Sequence, residues 1–415
     1  MPIYLDHAAT TPLRHEALEA MLPWLSDDFG NPSSSHSFGR RTRAGLDDAR
    51  ERVARALGAE PREIVFTSGG TESNNLAIKG AAWAGKARGH RIISTAIEHH
   101  SVGHSLRYLE KFGFEIVELP ADRYGRVDPD DLEAAITPKT ILVSVMLANN
   151  EVGTIQPIGE LAAVVRAHKG VLLHTDAVQA APYLSLDVNV LGVDLLSISA
   201  HKFEGPKGIG ALYVRHGTNI LAQQQGGAQE RYRRAGTENV AAAAGMARAF
   251  ELAATERRET VARLKSLRER LLGRVWGLEG VEQTGHPAER LPGLASLVAR
   301  GLDGAALAMA VDLGGVACST GSACANGSNE PSHVLMAMGF PEDEARGALR
   351  LSLGRTTTTE EIDQATRVLI DVLGRQREAA RELAEQNAAL AVERAAFESQ
   401  KAGNGAVADS EGVRS

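Results

Sequence analysis

The chain has 415 residues, with 45 Lys and Arg against 52 Asp and Glu and a formal net charge of -7. That length can bury a large core in two domains, and the acidic balance argues against nucleic acid as a partner. No apolar run is long enough to span a bilayer, the first residues show no basic-apolar leader, and the two cysteines, Cys318 and Cys324, make no disulfide framework, so the expectation is a cytoplasmic protein with no membrane partner.

Residues 1–12 read as an extended segment ending in a turn at Asp6-His7-Ala8-Ala9-Thr10-Thr11-Pro12. A helix over Arg14–Trp24 and a polar loop follow. A long helix then runs to Leu57, with Leu46, Ala49, Val53, Ala56 and Leu57 on one face. From Ile64 to Val214 strands alternate with helices. The apolar runs are Ile64–Thr67, Arg91–Ala96, Phe114–Leu119, Ile141–Leu147, Val171–Thr175, Leu195–Ser199 and Gly210–Val214. Near-continuous apolar strands separated by helices predict an α/β fold: a mostly parallel seven-stranded sheet with helices on both faces.

Residues 238–277 predict one or two long helices. A second, smaller α+β pattern follows: strand Leu294–Ala299, helix Ala305–Leu313, a loop with both cysteines, helix Ser332–Met338, strand Ala348–Ser352 and helix Thr359–Leu373. Residues 13–254 therefore read as a large domain, and 1–12 with 255–374 as a small one. Residues 375–415 read as an extension, helical to Lys401 and disordered from Ala402.

Ligands of such sheets bind beyond the carboxyl ends of the strands, and five of those ends carry chemistry. Ser68-Gly69-Gly70-Thr71 joins a strand to a helix start, where free N–H groups can cradle a phosphate. Glu98-His99-His100 offers an imidazole that could stack on a ring and move protons. Asn149 could bond a ring hydroxyl or shape a turn. Asp176, followed by Gln179, could keep a pyridine nitrogen protonated or simply cap a helix. Ser199-Ala200-His201-Lys202 puts an amine just past a buried strand. Each feature has an ordinary structural explanation by itself. Together they read as a pyridoxal 5'-phosphate (PLP) site with Lys202 as the Schiff-base lysine.

A second cluster bears on the reaction. Cys324 lies in Ser319-Thr320-Gly321-Ser322-Ala323-Cys324-Ala325-Asn326, a small, polar segment where packing explains a cysteine poorly. It reads as a nucleophile. Cys318, among apolar neighbours, reads as a buried small hydrophobe. Their spacing fits no usual zinc or thioredoxin pattern. Arg350 is the candidate grip for a substrate carboxylate, with Arg355 as a structural rival.

These motifs resemble the cysteine desulfurases, the NifS/IscS-like branch of the class-V aminotransferases among fold-type I PLP enzymes. The similarity runs from Tyr4 to about Leu373, through Ile64–Asn75, Asn149–Gly153, Ser199–Leu212, Arg234-Ala235-Gly236-Thr237, Ser319–Cys324 with Glu330-Pro331-Ser332, and Arg350–Arg355. The resemblance implies that Lys202 forms the Schiff base, that Gly70, Thr71, Ser199 and His201 hold the phosphate, and that Thr237 reaches the phosphate of a partner subunit in a homodimer. It implies that Asp176 meets the ring nitrogen, that Gln179 and Asn149 meet the ring hydroxyl region, and that His99 stacks on the ring.

The implied reaction takes sulfur from L-cysteine, leaves L-alanine and puts a persulfide on Cys324, which hands sulfur to an iron–sulfur scaffold, a tRNA-thiolating protein or another carrier. Cys324 is also a candidate transient iron–sulfur ligand. A selenocysteine lyase would look nearly identical. An aminotransferase or lyase of this fold would need no loop thiol, and a silent scaffold would carry a relic site. Ala200, Phe203-Glu204, Gly227-Ala228-Gln229-Glu230, Asn326–Asn329 and the extension after about Arg375 depart from the family pattern.

Overall fold

The structure, a computed structural model, describes residues 2–321 and 330–408. Strand β1 (Ile3–Tyr4) finds its partner only late in the chain. Helices α1 (His15–Leu25) and α2 (Ser37–Leu57) follow. Helix α2 buries Leu46, Ala49, Val53, Ala54 and Leu57 on the 3.6-residue period, and Gly58 closes it at φ +64°.

The sheet region then reads β2 (Ile64–Thr67), α3 (Gly70–Gly85), β3 (Arg91–Thr95), α4 (His100–Glu110), β4 (Glu115–Leu119), α5 (Pro129–Ala135), β5 (Thr140–Ser144), α6 (Ile158–Ala167), β6 (Leu172–Asp176), α7 (Val188–Leu191), β7 (Leu195–Ser199) and β8 (Gly210–Val214). The strand order is β2-β8-β7-β6-β5-β3-β4. Only β8 runs against its neighbours. Every residue of β5, β7 and β8 is buried, as expected of strands covered on both faces. The seven strands are those the apolar runs predict.

One boundary differs in a useful way. The apolar run continues to Leu147, but β5 leaves the ladder after Ser144. Past that point the backbone turns over the sheet edge, where the Met146 N–H donates to a side chain and the Leu147 N–H to the Asp176 carbonyl. The ends of β2, β3, β5, β6 and β7 therefore open on one edge.

Helix α8 (Val240–Val275) is one continuous helix of 36 residues. Its first half, through Phe250, packs in the large-sheet core, and its second half, from Leu264, packs in a separate core. Gly245 lets it lie close to α1: a Cβ there would sit 2.6 Å from Met21 Cγ.

The rest of the chain forms β9 (Val281–Gln283), β10 (Leu294–Ala299), α9 (Gly304–Leu313), β11 (Val316–Ala317), α10 (His333–Ala337), α11 (Glu342–Ala345), β12 (Ala348–Ser352) and α12 (Thr359–Ala408). Most of these surround the second core, while Val334 and Leu335 of α10 and Ala345 of α11 pack in a small cluster with Ile97, Met146 and Val152. Strands β12, β10 and β9 form an antiparallel sheet, and β11 pairs in parallel with β1. Helix α12 buries Ile362, Ala365, Leu369, Val372 and Leu373, then runs on with Leu383, Leu390 and Val392 exposed. Helix α12 extends to Ala408, past Lys401, the expected end of the helical part of the extension. Residues 409–415 lie outside the described residues.

Candidate active site

The turn from β2 into α3 makes one wall. Gly69 has φ +149°, a region that favours glycine. A Cβ on Gly70 would stand 2.7 Å from Val178 Cγ2, and one on Gly210 would stand 2.7 Å from Gly69 Cα. Bare backbone is thus the only way to bring these strands together here. The first turn of α3 leaves N–H groups facing the cavity at Gly70 and Thr71, with the positive end of the helix dipole behind them. Burial favours a neutral Glu72, but the Arg234 guanidinium at 2.9 Å and the Ser68 N–H hold its carboxyl below the ordinary value.

Asp176 closes β6 and is 5% exposed. Its Oδ2 accepts from Asn74 Nδ2 at 2.7 Å and its Oδ1 from the Val178 N–H at 2.9 Å. Asn74 also bonds Ser101 Oγ at 2.9 Å, while its own Oδ1 is buried with no partner among the described residues. Beneath, His174 bridges Ser144 Oγ and Ser197 Oγ across three strands, and burial pushes its imidazole down to about 3.

Lys202 lies in a 3-10 turn after β7. Its Nζ donates to the Ala8 and Ala9 carbonyls, and Gln179 Nε2 shares the Ala8 carbonyl at 2.8 Å. The N-terminal turn therefore forms part of the site. His201 Nδ1 meets Thr10 Oγ1 at 3.1 Å; burial, then Lys202 and Lys207, push its imidazole down to about 4.

His99 caps α4: its Nδ1 accepts from the Ser101 N–H, which fixes the ring beside the cavity. Arg350, 3% exposed, donates to Asp6 Oδ1 and the Asn150 carbonyl, each at 2.8 Å, and to the Gly321 carbonyl at 3.3 Å; its buried Nε has no partner among the described residues.

One cavity of about 330 Å³ is lined by Gly70, Thr71, His99, Asp176, Gln179, Ser199, His201, Lys202 and Arg350. Three residues singled out in the sequence stand elsewhere. Asn149 is fully buried: its Oδ1 takes the Glu151 and Val152 N–H groups, and its Nδ2 goes to the Ile97 carbonyl. It shapes the turn, and its neighbour Asn150 reaches the cavity. Thr237 is exposed and does not line the cavity of its own chain. Arg355 pairs with Glu204 at 2.7 Å, away from this cavity. Cys324 lies outside the described residues. Sequence reading did not assign roles to Asn74 or Ser101, and it named Asn150 only together with Asn149, as amides that could bond a ring hydroxyl or shape a turn. Asn74 was findable, since it follows Thr71 by three residues and so faces the same side of α3.

The residues fit PLP. Glycines leave room that a Cβ would fill, a helix start faces the phosphate position, and a hydrogen-bonded carboxylate and a lysine share the cavity. With this strand order, that set defines a fold-type I PLP-dependent enzyme.

Comparison with known proteins agrees. Residues 3–365 match the class-V aminotransferase family. The chain is 50% identical over 368 residues to a protein of Dictyoglomus turgidum named cysteine desulfurase IscS, covering 88% of this chain and 93% of that one. It is similar to a solved NifS-like protein with TM-score 0.85 and 38% identity, covering 90% of this chain and all of the other. It is also similar to SspA in complex with cysteine, with TM-score 0.76 and 35% identity, covering 86% and 100%. The chain belongs to the class-V aminotransferase family, and within it to the NifS/IscS-like cysteine desulfurases.

Proposed function

We propose that this cavity carries out the desulfuration of L-cysteine with Lys202 as the covalent anchor of PLP and Cys324 as the sulfur acceptor. The observation that carries the assignment is that Lys202, Asp176 and the start of α3 share one cavity at the sheet edge. When bound, PLP supplies an electron sink for the pair left at Cα when its proton departs.

Lys202 holds and then moves that proton, and the Ala8 and Ala9 carbonyls keep its amine at the cavity floor. Asp176, oriented by Asn74 and the Val178 N–H, faces the ring nitrogen. Gly70, Thr71, Ser199 and His201 take the phosphate. Gln179 would meet the ring hydroxyl, and His99 would stack on the ring, both lining the cavity. Asn149 serves by setting the turn that aims Asn150. Arg350 grips the substrate carboxylate, as its buried, partly unpaired guanidinium suits.

The Cys324 thiolate attacks the substrate sulfur. The bond from Cβ to sulfur breaks, a sulfur–sulfur bond forms, and protonation completes L-alanine. The sum is L-cysteine plus the Cys324 thiol giving L-alanine plus the Cys324 persulfide. The persulfide then passes its outer sulfur to an acceptor protein, and Cys324 is the residue such an acceptor's cluster would meet.

A homodimer completes the site through Thr237. Support comes from its exposure, from the tie of its loop to α3 through Arg234 and Glu72, and from exposed Phe29, Phe38 and Tyr232. The division into residues 13–254 and residues 1–12 with 255–374 is supported by the two cores that α8 joins. No helix among the described residues is long and apolar enough to cross a membrane, and a thiol nucleophile suits the reducing cytoplasm.

The test is Cys324→Ala. The variant is expected to keep the visible absorbance of bound PLP and to release no alanine from cysteine. Turnover at the normal rate would overturn the nucleophile assignment.

A further inference from the structure

Glu98 immediately precedes His99 and is 4% exposed. Its Oε1 accepts twice, from Thr95 Oγ1 at 2.9 Å and from the Met146 N–H at 2.8 Å. Its Oε2 is buried and has no partner among the described residues. No Lys or Arg pairs with it among those residues. One oxygen with two donors and one with none is the pattern of a carbonyl and a hydroxyl. An ionised oxygen left bare in the interior would cost far more than a bare hydroxyl.

The surroundings agree. Asp176 on β6 repels a second negative charge. On α10, His333 Nε2 meets the Glu98 carbonyl at 3.0 Å, and His99 and His100 adjoin it on its own segment. Burial, with Asp176 adding to it, raises the Glu98 carboxyl to about 8. The carboxyl ties Thr95 at the end of β3 to Met146 beyond β5, and Met146 and His99, the residue next to Glu98, both line the cavity.

We propose that Glu98, held as the neutral acid, is a positioning residue that latches the exit of β3 to the exit of β5 and so fixes the His99 imidazole over the cofactor ring. This rests on the role given to His99 above. The latch adds no negative charge beside Asp176, so the ring nitrogen meets one carboxylate.

The experiment compares wild type, Glu98→Gln, Glu98→Asp and Glu98→Ala as holoenzymes. Gln is neutral and of the same shape. It is expected to keep the circular dichroism of the bound PLP band and kcat within about twofold. Asp is too short to reach Met146, and Ala removes the latch. Both are expected to weaken that dichroism and lower kcat about tenfold, with KM changed little.

A second readout needs no cofactor. Between about pH 5 and 8, wild type is expected to lose Tm relative to Glu98→Gln, with no further divergence above pH 8. Damage by Gln equal to that by Ala would overturn the proposal, as would parallel Tm curves from pH 5 to 8. A wild type with no PLP band would overturn the cofactor reading and the proposal with it, while the Tm comparison isolates the proton on Glu98.

Discussion

Asp176 is prepared by its neighbours before any ligand arrives. Two donors, Asn74 Nδ2 and the Val178 N–H, hold both of its oxygens, so its direction is set by α3 and by its own turn. Asp176→Ala strands both donors and removes the charge facing the ring. A charge-assisted hydrogen bond contributes about 1.5–3 kcal/mol, so kcat/KM is expected to fall about 10- to 100-fold and PLP to bind more weakly. Absorbance titration with PLP and an alanine-release assay check this. The acid and Lys202 were legible in the sequence because residue type and place at a strand end coincide. Asn74 was open to reading only through its spacing from Thr71, because by type it looks like any polar residue of a helix start. Asn149 and Asn150 are alike in sequence, and only the hydrogen bonds of the turn separate their work.

At the scale of elements, apolar runs made the large sheet readable, since strands buried on both faces have little choice of composition. Short pieces escaped. Strands β9 and β11 have three and two residues, too few for any period to show. The exit of β5 escaped for a different reason: Val145 and Leu147 still pack in the large core and Met146 in a smaller cluster, so the apolar run continues past the last paired residue. The crowded end of β8 gives a prediction. In Gly210→Ala the new Cβ would stand 2.6 Å from the Ile198 carbonyl oxygen and 2.7 Å from Gly69 Cα. Strands β7 and β2 would have to part, lowering stability by about 1–3 kcal/mol and loosening the phosphate cradle. Urea denaturation and PLP titration of the variant measure the two effects.

For the whole molecule, buried titratable groups set a pH window. Burial lowers His7 to about 4 and His174 to about 3, against 6.5 in the unfolded chain. The folded state binds fewer protons, so their contribution is complete above pH 6.5 and is lost as pH falls, by about 1.4 kcal/mol per pH unit each. Glu98 acts oppositely: raised from 4.5 to about 8, it costs stability as pH rises through that interval. His201 and His100, also lowered to about 4, act in the same direction, so between 4.5 and 6.5 the histidines outweigh the one acid, and above 6.5 the acid sets the slope. Tm is expected to peak near pH 6.5 and to decline on both sides. A Tm still climbing from pH 6.5 to 8 would contradict this balance. None of it was visible in composition, because burial of a particular histidine depends on which strands lie beside it.

Cys318 packs against the second core, and burial, with Asp6 and Asp312, pushes its thiol up to about 12. At neutral pH it is a poor target for alkylating reagents. The chain has one other cysteine. Iodoacetamide on the unaltered protein therefore reports on a single position: thiol and persulfide each take one label, and the mass of one extra sulfur on the labelled chain, read by mass spectrometry, would measure the sulfur loading proposed for Cys324 without any engineered background.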